Sequence, residues 1–357
     1  MERAVYRILD ANFNRAREAA RGMEEFCRFV LNDEGLSGRC KQIRHRLCAA
    51  YRGIDAGRLL AARDTEGDVG RGMSVEGQMG RTDLEGCLTA SVRRWGEAMR
   101  ALAEAGQMIH RSAAAEFERL RFEGYAIEKD AMLSWLPKSR FAAVRLYVLV
   151  TVGTDSDRSK VLELVGRCAE GGADCIQLRA KGLGDNELYS LSSEYVKICR
   201  QAGTLSIVND RPDVAVACDA DGVQLGQEDL PVAAVRQIQQ KPMIVGVSTH
   251  NPDELRTAIE QGADYVGIGP AFASPTKPQI PVAGLEYLRA AMNVLKGTAV
   301  GHVAIGGIHR GNVAEVLACG IRAIAVGSAV TEAADPGKEC RQFKETLIER
   351  NRAGSQY

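Results

Sequence analysis

The chain has no excess of either charge: 46 Lys and Arg balance 46 Asp and Glu over 357 residues. A neutral balance argues against nucleic acid or an anionic membrane surface as the main partner, so any anionic ligand must be held by local groups. No uninterrupted apolar run approaches the roughly 18–20 residues that a membrane span needs. Met1 to Asp10 alternates charged and apolar residues and contains no apolar core of a secretory leader. The ten cysteines could suggest disulfides, but they are scattered and include no CxxC pair, which fits thiols that mostly fill core space. The expected setting is a reducing cytoplasm. A Walker A glycine loop is also missing, which removes the commonest sequence sign of a nucleotide kinase.

What is present divides into two halves with different periods. From Val5 to Val30, the residues Val5, Leu9, Phe13, Ala16, Ala20, Met23, Cys27 and Val30 recur at three- and four-residue steps, the stripe of a long amphipathic helix. Further helical patterns run through Gly38–Tyr51, Asp83–Arg111 and Ala113–Arg121, while Arg63–Met73 carries three glycines and reads as a loop. From Val144 onward, eight short β-branched runs alternate with helical stretches: Val144–Val150, Asp174–Arg179, Leu205–Asp210, Gly222–Gly226, Met243–Ser248, Tyr265–Gly269, His302–Gly307 and Ala323–Ser328. Most are apolar throughout, as parallel strands buried on both faces must be. Eight β/α units over about 200 residues predict an α/β fold, a (β/α)₈ TIM barrel, preceded by an all-α domain. The expected boundaries are a helical domain over 1–128, a linker over 129–143 carrying Pro137, the barrel over 144–345 and a polar tail over 346–357.

A barrel of this type carries its site at the carboxyl ends of the strands. After the second strand, Gln177 and Arg179 share one face and Lys181 follows on the loop. Asp210 ends the third run and Asp229 follows the fourth. Because those strands are neighbours, the two carboxylates can meet opposite the cations and hold a Mg²⁺ against a diphosphate. The sixth strand leads into Ser274, Pro275, Thr276 and Lys277, and glycines close the seventh and eighth at Gly307 and Gly327, where this fold binds phosphate through backbone N–H groups. Each feature alone has a duller reading: a lone Asp after a strand is commonly a helix cap, and a lone lysine a solvated charge. Five successive strand ends carrying such groups favour two anion sites, and so two phosphorylated substrates.

The segments QLRAK (Gln177–Lys181), NDRPD (Asn209–Asp213), DGVQLGQEDL (Asp221–Leu230), GVS (Gly246–Ser248), GADYVGIGP (Gly262–Pro270), SPTK (Ser274–Lys277) and IGGI (Ile305–Ile308) together resemble the thiamine phosphate synthase family across residues 144–335. The resemblance implies condensation of hydroxymethylpyrimidine diphosphate with thiazole phosphate, releasing diphosphate. It implies that Gln177, Arg179, Lys181, Asn209, Ser248 and Lys277 bind the pyrimidine diphosphate. Asp210 and Asp229 would bind Mg²⁺, and Ser274, Thr276, Gly307, Gly327 and Ser328 the thiazole phosphate. Ser274 stands where the family usually has Thr, and Gly327 where it usually has an aliphatic residue. A thiazole tautomerase of the same superfamily, or a barrel that only senses ligand, is the alternative.

In the helical half, Asn14, Glu18, Arg21, Glu25 and Arg28 lie opposite the apolar stripe and read first as a solvated face with i,i+4 pairs. The pattern Arg15-x-x-Glu18-Ala19-x-Arg21…Glu25 recurs as Arg94-x-x-Glu97-Ala98-x-Arg100…Glu104, and the loop RDTEGDVG groups Arg63, Asp64, Thr65 and Asp68. These segments resemble the second, all-helical type of ThiD domain. That resemblance implies phosphorylation of hydroxymethylpyrimidine phosphate from ATP, with Asn14, Glu18, Arg21, Glu25, Arg63, Asp64 and Asp68 as candidates. A non-catalytic module for binding or for homo-oligomer formation is the alternative.

Overall fold

The computed structural model describes residues 1–70, 72–73, 83–239, 241–274 and 281–354, with side chains to 349. It divides into two compact units between Trp135 and Leu136.

The first unit is helical: α1 (Glu2–Glu25), α2 (Glu34–Tyr51), α3 (Ala56–Ala62), α4 (Leu84–Gly106) and the first part of α5 (Arg111–Ala142). The apolar stripe of α1 is buried as its period predicts, with Leu9, Ala16, Ala20, Met23 and Cys27 all fully covered. Its last turn relaxes into a π-helix over Phe26–Val30. Helices α2, α3 and α4 each open on an aspartate, Asp33, Asp55 and Asp83, whose side chain accepts a backbone N–H of the first turn. The internal repeat falls on α1 and α4, which pack against each other, and each copy makes the same i,i+4 pair: Arg21 to Glu25 at 3.0 Å and Arg100 to Glu104 at 2.6 Å. Helix α3 was not apparent from periodicity, since seven residues are too few to display one. Of residues 129–143, expected as a linker, 129–142 are the second part of α5, which passes through Pro137 without ending.

The second unit is a closed barrel of eight parallel strands in sequential order. They are β1 (Leu146–Val152), β2 (Cys175–Ala180), β3 (Leu205–Asn209), β4 (Gly222–Leu225), β5 (Ile244–Thr249), β6 (Tyr265–Ile268), β7 (Gly301–Ala304) and β8 (Ile324–Val326). All eight fall within two residues of the expected starts. The final helix, Pro336–Gly354, extends through much of the expected tail. Alternation along each strand sorts the side chains into two cores. Outward residues such as Val148, Ile176, Val208 and Val245 pack under the surrounding helices. Inward ones, Tyr147, Cys175, Ile207, Ile244, Tyr265 and Val303, fill the barrel floor, which Phe141 closes by stacking on Tyr265 at 3.8 Å.

The floor is held by a repeated device. The Ala-Asp dipeptides before β2, β4 and β6 place Asp174, Asp221 and Asp264 at the amino ends of the strands. Their carboxylates accept the N–H of Leu146, Ser206 and Val245 on the preceding strand, at 2.9, 2.9 and 2.8 Å. Each also meets a cation: Lys344, Arg140 and Arg236 respectively. At β7 and β8 a ring takes this part, with Nε2 of His302 accepting the Arg322 N–H at 3.1 Å. Burial, with Arg322 and Arg145 nearby, lowers the His302 imidazole from the usual 6.5 to about 4. The unfolded chain therefore takes up a proton below pH 6.5 that the native ring refuses until about pH 4. Stability present above pH 6.5 is lost across that window, by roughly 3 kcal/mol. Denaturant melts of His302→Gln should show a correspondingly shallower decline from pH 7 to pH 4; a slope equal to wild type would assign the acid limb to other groups.

Candidate active site at the barrel mouth

Above the apolar floor, the same inward positions become polar. Gln177 and Arg179 on β2, Asn209 at the end of β3, Gln224 on β4 and Ser248 on β5 line a cavity of about 450 Å³. Ser274, Gly307, Gly327 and Ser328 line it too, so eight of the residues singled out in the sequence share one chamber. Lys181, Asp210 and Asp229 are not part of the lining but follow closely on Arg179, Asn209 and Leu225. Thr276 and Lys277 lie outside the described residues.

One wall is built of side-chain amides. Gln177 is 4% exposed; its Oε1 accepts from the Tyr147 hydroxyl at 2.8 Å and its Nε2 donates to Asn209 Oδ1 at 2.6 Å. Gln224 donates to Ser248 Oγ at 3.0 Å. Beside them, Nε of Arg179 is buried with no hydrogen-bond partner among the described residues. An uncompensated guanidinium N–H is costly to bury, so its position is that of a group waiting for an anion.

The facing wall is backbone. The carbonyls of Ile305, Gly306 and Gly307 accept from Ala271 N, Phe272 N and Asn312 Nδ2 at 2.8, 3.1 and 2.9 Å. The N–H groups of Gly306 and Gly307 make no such bond to a described residue. Gly307 has φ +61°, and a Cβ there would stand 2.4 Å from the Ala273 carbonyl oxygen, so both conformation and space demand glycine.

At the third corner two carboxylates meet. Asp210 sits at φ +61°, unusual for a residue with a side chain, and its N–H donates to the Gln224 carbonyl at 2.8 Å. Lys181 Nζ lies 3.4 Å from Asp210 Oδ2. Asp229 accepts the Gly226 N–H at 2.6 Å. Burial pushes the Asp229 carboxyl above the usual range, and its interaction with the adjacent Asp210 carboxyl pushes the same way, against the Gly226 N–H and Lys181. A divalent cation would relieve this crowding. Among the described residues no group of three or more potential ligands forms, so a cation here would complete its shell from water or a bound phosphate.

Residues 146–330 match the family model described as thiamine monophosphate synthase, and residues 7–130 match the ThiD2 family. The thiamine-phosphate synthase of Synechocystis sp. is 40% identical over 340 residues, 95% of each chain. That of Rhodopirellula baltica is 38% identical over 336 residues, 92% of this chain and 88% of that one. The chain belongs to the thiamine monophosphate synthase family. A solved structure of this kind, thiamine phosphate pyrophosphorylase from Pyrococcus furiosus, is 36% identical, covers 59% of this chain and 98% of its own, and superposes with a TM-score of 0.52.

The synthase-type cavity also has walls the sequence did not single out: Tyr147, Gln224, Thr249, His250 and Glu332. Gln224 lies within the quoted DGVQLGQEDL segment and shares the inward alternation that marks Gln177, which was the available signal. Tyr147 sits inside an apolar run and carries none.

In the ThiD2-like unit, the two buried carboxylates of α1 lie beside the expected face and find arginine partners. On α1, Asp10 takes a bidentate pair from Arg63 at 2.7 and 2.8 Å, and Oε2 of Glu24, a residue 7% exposed, accepts from both Nη2 and Nε of Arg44 at 2.9 and 3.1 Å. Asn14 donates to the Asp10 carbonyl at 3.0 Å. Arg21 pairs with Glu25 on the surface, the Asp64 carboxylate accepts from Gly67 N at 2.8 Å, Asp68 accepts from Gly70 N at 2.9 Å, and Glu18 is exposed.

Proposed function

We propose that the barrel condenses hydroxymethylpyrimidine diphosphate with thiazole phosphate to give thiamine phosphate and diphosphate. The observation that carries this is the pairing, in one chamber, of a guanidinium whose Nε–H is buried without a partner among the described residues with two glycine N–H groups on the opposite wall. Such a chamber suits two anions at fixed separation, one on each reactant. Gln177 and Asn209 would hold the aminopyrimidine; Arg179, Lys181 and Lys277, with Ser248, its diphosphate. Gly306, Gly307, Gly327 and Ser328, with Ser274 and Thr276, would hold the thiazole phosphate.

The C–O bond between the pyrimidine methylene and diphosphate breaks with its electron pair leaving on diphosphate. The aminopyrimidine ring stabilises the methylene cation that remains. The thiazole nitrogen then supplies its lone pair to form the C–N bond. No nucleophilic side chain or general base is required, so the protein contributes orientation and charge. Asp210 and Asp229 would hold Mg²⁺, which supplies neutralising charge to the diphosphate when bound. The test is direct: incubate the chain with both phosphorylated substrates and Mg²⁺ and measure thiamine phosphate and diphosphate. Tight binding of both without product would support the ligand-sensor alternative instead.

For the helical unit, the ThiD2 likeness supports phosphorylation of hydroxymethylpyrimidine phosphate by ATP, which would make the barrel's own substrate. Supplying the full chain with the monophosphate and ATP in place of the diphosphate tests it; absence of ADP and of thiamine phosphate would leave a binding or oligomerisation module. All ten cysteines are free thiols and no described helix is long and apolar enough to cross a membrane, which supports a cytoplasmic setting.

A further inference from the structure

Beneath the amide wall lies a polar chain that the condensation does not use. Tyr265 on β6 is fully buried in the barrel floor, and its ring is seated by Gly246 on β5, where a Cβ would stand 2.1 Å from Tyr265 Cζ. Packing alone would accept phenylalanine there. The hydroxyl is 3.1 Å from that of Tyr147, which is 2.8 Å from Gln177 Oε1, and Gln177 Nε2 is 2.6 Å from Asn209 Oδ1. Four side chains from four strands thus form one line from the floor into the cavity.

The line has a polarity. Read from the cavity, both side-chain amides could be flipped together and every internal contact kept, with Gln177 Nε2 then donating to Tyr147 and Tyr147 to Tyr265. The far end breaks this degeneracy. Tyr147 is the one hydrogen-bond partner of the Tyr265 hydroxyl among the described residues. If Tyr147 donates to Tyr265, the phenolic proton of Tyr265 is buried without an acceptor, the costly arrangement. When Tyr265 donates instead, Tyr147 must donate to Gln177 Oε1, Gln177 Nε2 to Asn209 Oδ1, and the Asn209 amide turns its N–H groups away from Gln177.

We infer that Tyr265 is a positioning residue for the pyrimidine: through Tyr147 its hydroxyl fixes the Gln177 and Asn209 amides as donors, so that the cavity selects a ring edge that accepts hydrogen bonds. A ring nitrogen of an aminopyrimidine is such an acceptor, and the inference rests on the condensation proposed above. Tyr265→Phe keeps the stack on Phe141 and removes only the hydroxyl. It should raise KM for the pyrimidine diphosphate about tenfold, leave KM for the thiazole phosphate unchanged and lower kcat less than twofold. Because the hydroxyls act in series, Tyr147→Phe together with Tyr265→Phe should cost no more than Tyr147→Phe alone.

Wild-type turnover is measured first, since its absence would defeat the condensation and not the relay. With turnover established, an unchanged pyrimidine KM in Tyr265→Phe overturns the relay. So do additive effects in the double variant, or equal rises in both KM values. If the single variant is too unstable to assay, Tyr147→Phe, with its melting temperature, provides the same comparison: a pyrimidine-specific rise supports the relay and a rise for both substrates overturns it.

Discussion

Arg179→Ala should lower kcat/KM by about 10²–10³-fold while leaving the melting temperature unchanged or slightly higher. The two halves of that expectation have one cause. The Arg179 Nε is buried without a partner among the described residues, so the folded chain bears its desolvation and receives no compensation until an anion arrives. Truncation removes both the cost and the use. The rate loss should fall on kcat more than on KM if the guanidinium interacts more strongly with the departing diphosphate than with the bound substrate. Steady-state kinetics with a thermal melt on the same preparation checks it. A variant that lost stability but kept its rate would make Arg179 a structural residue.

Asp210→Asn is the second large effect, and it again separates fold from chemistry. Asp210 adds to the factors that hold the neighbouring Asp229 carboxyl above its usual range, and its own backbone occupies φ +61°. Asparagine tolerates that conformation as well as aspartate does, and it removes one of two like charges. The fold should therefore be no less stable. Activity should drop by about 10²–10³-fold, and the Mg²⁺ concentration giving half-maximal rate should rise at least about tenfold, because one of two anionic ligands is gone. Titration of turnover against Mg²⁺ reads both quantities. If the Mg²⁺ midpoint is unmoved, the carboxylate pair is not where the metal is held.

Much of this was legible in the sequence because barrel strands carry a simple signal. Strands buried on both faces are apolar throughout, so the polar Gln177 and Arg179 stand out, and the side-chain period of two puts them on one face, while Ser248 is reached through the family resemblance. The closeness of Asp210 and Asp229 followed from sequential strand order alone. What stayed hidden depends on contacts between elements. Tyr147 looks like any core aromatic until its hydroxyl is seen against Gln177. On α1, the period points to the exposed Glu18 and Glu25 and cannot exclude Glu24, but it cannot say which polar residues meet Arg44 and Arg63; that Glu24 and Asp10 do is visible only in the structure. Pro137 suggested a break, yet α5 continues through it, because a proline removes one intrahelical bond and the turns on either side can persist.

The three aspartates beneath the barrel bear on how this architecture can vary. They fasten alternate staves to their neighbours at the end remote from the ligand chamber, using backbone N–H groups that every substitution short of proline retains. The loops at the open rim are thus relieved of holding the cylinder shut. A descendant of this chain could exchange those loops for others, and with them its chemistry, and still close.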